Sequence, residues 1–128
     1  MQRSYFAGTW QQDRAFSPAV KTTGGTIVWV AGHTGHRDDA GKSLAGDLEA
    51  QVRMTFRNIE KTLAEVGAKL SDLVTMTVFI NDARNSTRVT EIRKEIFGRN
   101  FPASALITVT GFAQPEIMIE IQSIAVID

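Results

Sequence analysis

The chain has 128 residues, 14 Lys+Arg against 14 Asp+Glu, a formal net charge of 0 and no cysteine. That length fits one domain over residues 1–128, and the missing thiols exclude disulfides, thiolate metal sites and a cysteine nucleophile. With 43% apolar and 22% charged residues the composition is globular; the absent basic surplus makes a nucleic-acid partner unexpected, and the lack of a signal-like N-terminus or long apolar run points to a soluble cytoplasmic protein that does not engage a membrane.

Ser4–Ala7 reads as a short N-terminal strand. Gly24-Gly25 then separates two extended segments, Phe16–Lys21 and Thr26–Gly32; a glycine pair tolerates the positive φ of a tight turn, so a β-hairpin is expected there. The β-branched and aromatic run Thr26–Ala31 predicts a strand buried on both faces. Gly32–Gly46 is polar and reads as a loop. Asp47 is a plausible N-cap for a helix whose apolar residues Val52, Phe56, Ile59, Leu63 and Val66 share one stripe, with Gly67 as its stop. Leu73–Ile80 alternates, placing Val74, Met76, Val78 and Ile80 inward and Thr75, Thr77 and Phe79 outward. Ser86 or Thr87 can cap a second helix with Val89, Ile92 and Ile96 inward and Gly98 closing it. Strands are expected over Ala103–Thr110 and Glu116–Val126. Two amphipathic helices cover one face of such a sheet; the opposite face, carrying Thr75, Thr77 and Phe79, is too apolar to stay wet, so self-association is expected.

The chain has no Gly-rich nucleotide loop, no zinc-protease helix motif and no nucleophile elbow. His33 and His36 lie near Asp38 and Asp39, but a loop gives no fixed geometry and no third ligand is evident, so no metal site is expected. His33, at a strand end, is the better functional candidate. Glu120 interrupts Ile117–Ile124: Ile117, Ile119 and Ile121 face one way, Met118, Glu120, Gln122 and Ile124 the other. A carboxylate there must be paired, neutral or at the mouth of a cleft, because burying it alone is costly. Its two readings are an ion-paired structural residue and a functional acid. Arg53, Arg57 and Lys61 read as the solvated face of the first helix.

Four stretches, Phe16–Val20, Trp29–Gly32, Leu73–Ile80 and Phe97–Ser104, with the tail Ile119–Val126, resemble the RidA (YjgF/YER057c) family of small imine deaminases. The resemblance implies a chorismate-mutase-like α+β fold, with a mixed sheet and two helices on one face, assembled as a homotrimer with small-molecule clefts between subunits. It implies cofactor-independent hydrolysis of reactive imines and enamines to a carbonyl compound and ammonia. By position, the family's water-orienting glutamate is Glu120 and its pocket glycine is Gly32, whereas its carboxylate-clamping arginine is replaced by Ser104. Ala19 stands where a larger ring is common, Leu106 where a small polar or thiol residue is common, and Gln122 replaces a second acid. A serine hydroxyl supplies no bidentate, charge-assisted fork, so hydrolysis of 2-iminopropionate is expected to be weak. Ser104, Thr90 and His33 are then candidates for neutral hydrogen bonds to substrate, and Arg93, Lys21 and Arg37 for a substitute cation. The alternatives are a metabolite-binding trimer without catalysis and, less favoured, a ribonuclease or translation inhibitor.

Overall fold

The computed structural model describes residues 1–128. Its elements are β1 (Gln2–Phe6), β2 (Ala19–Thr23), β3 (Thr26–His33), α1 (Leu48–Glu65), β4 (Leu73–Ile80), α2 (Ser86–Phe97), β5 (Ala103–Thr108) and β6 (Ile119–Ile127). Strands β3-β6-β4-β5 form one sheet, with β4 and β5 parallel and the other pairs antiparallel. β1 and β2 form a separate antiparallel ribbon, from Gln2 opposite Thr23 to Phe6 opposite Ala19. The expected strand order, including the extra N-terminal strand, is observed.

The expected hairpin is not. Gly24 and Gly25 do take φ of +72° and +85°, but β2 pairs with β1 and β3 pairs with β6. Positive φ permits a sharp turn without choosing the next strand's partner; here the turn passes the chain from the ribbon to the edge of the main sheet. Nor is β3 buried on both faces: the helices cover one side of the sheet, so Val28 and Val30 pack toward them while Ile27 and Trp29 are exposed on the other side.

α1 begins as its sequence requires, with the Ala50 N–H donating to the Asp47 side chain at 3.0 Å. Val52, Phe56, Ile59 and Leu63 are buried, and Phe56 meets Phe97 of α2 edge-on at 5.8 Å. Val66 lies outside the stripe and half exposed, because the helix ends at Glu65. α2 starts one residue earlier than a Ser86 or Thr87 cap implies: Asn85 is its N-cap and makes no side-chain bond. Val89 and Ile92 are fully buried, and Ile96 packs at the rim of the core. On β4 a bulge between Leu73 and Thr75 shifts the alternation, so Leu73 rather than Val74 joins Met76, Val78 and Ile80 inside. β5 stops at Thr108 and β6 starts at Ile119, each shorter than expected. Ile119, Ile121 and Ala125 complete the core beneath the helices.

The buried Gln51 side chain, on α1, organises the loops. Its amide donates to Leu44 O at 3.1 Å and Glu116 O at 2.8 Å and accepts from Met118 N–H at 2.9 Å. It thereby fixes the entry of β6, holding Met118 two residues before Glu120.

Candidate functional site

The sequence candidates gather in two places, on opposite faces of the main sheet. On the face no helix covers, three residue steps of β3 are met by two of β6: Val30 pairs with Ser123 and His33 with Ile121. The resulting bulge holds Ala31 and Gly32, and it brings Gly32 beneath Glu120. A Cβ at Gly32 would lie 2.2 Å from Glu120 Oε2, so only the absence of a side chain lets the carboxylate rest there. Glu120 is half-buried, stands beside Phe79 of β4, and takes part in none of the chain's ion pairs. Farther along this face Trp29, Ala31, Thr75, Thr77, Gln122 and Ile124 line an open hollow of about 490 Å³. Trp29 is 75% exposed there and Ile107 of β5 44%.

His33 closes the bulge from the other side. Its Nδ1 lies 2.7 Å from Ala31 O and its Nε2 2.7 Å from Thr62 Oγ1. A carbonyl only accepts, so Nδ1 donates, and in the neutral ring Nε2 then accepts a hydrogen bond from the threonine hydroxyl. His33 therefore pins the strand end to α1 and does not reach Glu120's face. Next to it, Asn58 donates to Thr34 O at 2.8 Å.

The second place is a hollow of about 190 Å³ between α2, β5 and the segment before β2. Ser104, Leu106, Thr90 and Arg93, all singled out in the sequence, meet there. Ser104 pairs with the buried Met76 and so points to the helix side of the sheet. Arg93 is 3% exposed. Its Nη1 donates to Ser104 Oγ at 2.8 Å and its Nη2 to Arg14 O at 2.9 Å, while its buried Nε–H has no partner. No carboxylate pairs with it and none lines the hollow. Burial, and then the nearby charge of Arg14, pull its pKa down to about 10, so it remains a cation at neutral pH.

Trp10, Arg14 and Phe16 of this hollow escape sequence reasoning. They arrive because Ser17 N–H donates to Pro102 O at 3.0 Å and bridges to Ala103, docking the N-terminal segment on the start of β5. Trp10 meets Phe16 edge-on at 5.7 Å. Between them Ala15, fully buried, takes a left-handed φ of 60°, which costs a residue with a Cβ about 1–2 kcal/mol and sets the course of Arg14 and Phe16. The one available signal was Phe16, which heads one of the stretches that resemble the family; nothing in the sequence marks Arg14.

The remaining candidates lie apart. Ala19 is exposed on β2 opposite Phe6, and Lys21 is exposed on the same strand. Arg37 donates to Gly41 O at 3.2 Å inside its own loop. Asp38 accepts from Ala40 and Lys42 N–H, and Asp39 pairs with Arg57 and Lys61 of α1. No group of three His, Asp or Glu side chains converges to hold a metal. No helix is long and apolar enough to cross a membrane.

A family model described as endoribonuclease L-PSP matches residues 10–127. A RutC family protein of Pyrococcus abyssi is 31% identical over 110 residues, 86% of this chain and 84% of that protein. A 2-iminobutanoate/2-iminopropanoate deaminase of Dermatophagoides farinae is 27% identical over 113 residues, 88% of this chain and 86% of its own. Among solved structures, a conserved Rid family protein of unknown function from Yersinia pestis superposes with a TM-score of 0.87 at 24% identity, over 99% of this chain and 100% of that one. A YjgF/YER057c/UK114 family member from Mycobacterium tuberculosis gives 0.69 at 30% identity, over 98% and 100%.

Proposed function

This chain belongs to the endoribonuclease L-PSP family, the RidA/YjgF family, and from that premise we propose that it is a cytoplasmic, single-domain homotrimer that hydrolyses a reactive imine or enamine metabolite in clefts between subunits. Such a reaction adds water across C=N and then breaks the C–N bond, so an imine and water become a carbonyl compound and ammonia. No cofactor is required. The acid–base demand falls on one group that takes a proton from water and returns it to the leaving nitrogen.

The observation that carries this reading is Glu120: a carboxylate without an ion-pair partner, seated over Gly32 on the sheet face that its own chain leaves bare. A carboxylate on a surface that packs against another subunit survives where a cleft keeps it near water or ligand. Trp29, Ile27 and Ile107 supply the apolar contact for that packing. Within one subunit Glu120 and the Arg93 hollow face opposite ways, so a neighbouring subunit brings one against the other. β5, which carries Ser104, is a sheet edge, and in this reading the hollow beside it is where the neighbour packs.

Ser104 in the clamp position favours a second reading, a trimer that binds a metabolite without turning it over. One experiment separates the two. An imine generated in situ from an amino acid is followed as it disappears, with wild type, Glu120→Gln and no protein. The catalytic reading expects acceleration by wild type and a loss of about 10²–10⁴-fold in Glu120→Gln at unchanged oligomeric mass. Decay no faster than the protein-free control overturns it. Ribonuclease activity, the sense of the family's description, has no general basic surface behind it at a formal net charge of 0.

A further inference from the structure

We infer that Arg93 is an anion receptor: the hollow it shares with Arg14, Trp10 and Phe16 takes a small carboxylate that carries an apolar side chain. The inference rests on the proposed function for the amino-acid origin of the ligand, and on the geometry of the hollow for the rest.

A guanidinium is rarely so deeply buried without an acid beside it, because removing a charge from water is costly unless it is paired. Arg93 has no such acid. Two of its N–H groups are engaged, both by neutral oxygens, Ser104 Oγ and Arg14 O. These two anchors hold the guanidinium plane in place and leave N–H donors on both terminal nitrogens, together with the unpartnered Nε–H. A carboxylate with two oxygens matches such a fork. Arg14 adds a second positive charge near enough to depress the ionisation of Arg93, an arrangement that a bound anion relieves. Ser86 and Thr90 contribute hydroxyls on the α2 wall.

The rest of the lining selects the ligand's other end. Trp10, Phe16 and Leu106 give the hollow an apolar lining that a methyl group alone would leave largely uncovered. The sequence departures at Ser104 and Leu106 thus belong together. A long side chain at position 104 would occupy the place where Arg93 now binds the hydroxyl, so the small Ser104 lets the cation come from the helix instead of the strand. The favoured ligand class is a 2-oxo or 2-imino acid with a branched aliphatic or aromatic side chain, ahead of one bearing only a methyl group.

The test measures binding, without turnover, on the assembled wild-type protein. Pyruvate, 4-methyl-2-oxopentanoate, phenylpyruvate and inorganic phosphate are titrated separately while the Arg93 Nε–H resonance is followed by NMR. The expected result is saturable binding of the two larger oxo acids, at least tenfold tighter than pyruvate or phosphate, with the Arg93 Nε–H shifting downfield. Arg93→Met is expected to weaken that binding by at least tenfold, and Arg93→Lys to recover part of it. Because Arg93 is buried, Arg14→Gln at the exposed position serves as a second variant; a loss of about threefold is expected from its charge. Binding unchanged in folded Arg93→Met, no binding at millimolar oxo acid, or phosphate binding more tightly than the oxo acids each overturns the inference. Arg93-dependent binding without imine hydrolysis removes only the catalytic reading. Hydrolysis whose KM does not respond to Arg93→Met removes only the receptor.

Discussion

Replacing Gly32 with alanine perturbs the candidate acid without touching it. The new Cβ would stand 2.2 Å from Glu120 Oε2, 3.1 Å from its Cδ and 3.3 Å from its Cγ. An unstrained carbon–oxygen contact is about 3.3 Å, so the carboxylate must retreat by roughly 1 Å. The retreat is cheap for the fold, since the clash is with the end of a flexible side chain and Gly32 is not among the positive-φ residues. Removing a glycine from the unfolded ensemble even returns about 0.4–1 kcal/mol, so the melting temperature should move by no more than a few degrees. Chemistry is less tolerant, because a displacement of about 1 Å in a positioned group costs on the order of 10²-fold in rate. The assay is imine hydrolysis alongside thermal unfolding and mass, for Gly32→Ala, Glu120→Gln and the double variant. The expected outcome is a large rate loss at intact stability, with the double variant no worse than Glu120→Gln because both act through one carboxylate. Full activity in Gly32→Ala, or an additional loss of the same size in the double variant, refutes the reasoning.

Three further outcomes follow from the structure. Trp29 shows three quarters of its surface; covering it in an assembly removes roughly 110–190 Å² from water, about 3–5 kcal/mol per subunit, so Trp29→Arg should shift the trimer toward monomer in sedimentation at micromolar concentration, whereas an unchanged trimer places the interface elsewhere. Gln51→Ala strips the partner from Glu116 O and Met118 N–H, whereas Leu44 O keeps the Asp47 N–H; at about 1–3 kcal/mol for each group left buried and unpaired the denaturation midpoint should fall sharply, and a shift below about 1 kcal/mol would show that water replaces the amide. Hydrogen bonds from Lys61 and then Arg57 hold the Asp39 carboxyl below its ordinary value. A carboxylate depressed in the fold contributes above its unfolded pKa and is lost as pH falls through the folded one, so amide exchange in residues 36–46 should rise below pH ~4, and in Asp39→Asn that acid step should be absent.

The elements of this chain were legible where a local rule has a single answer. Four residues spaced along α1, an aspartate before it and a glycine after it leave one way to place a helix, since the apolar stripe must face inward. The alternation of β4 marked its buried row except where the bulge after Leu73 shifted it by one. Partnership was not legible. Gly24-Gly25 dictates a backbone that can turn but not which strand it meets, and the pairing of β2 with β1 depends on a segment that begins at the chain's first residues. Glu120 announced itself because a charge in an apolar strand demands an explanation, and the family resemblance paired it with Gly32; their contact, through a bulge with no sequence signature, came from the fold. Arg93 is the sharpest case. In the sequence it was one of three candidate cations, with Lys21 and Arg37, and no local pattern tells a buried arginine from a solvated one. Its burial was decided by partners on other elements, Ser104 on β5, 11 residues on, and the carbonyl of Arg14, 79 residues away. Sequence period fixes which side of an element is apolar; where a long charged side chain ends is decided by the tertiary surroundings that offer its donors an acceptor.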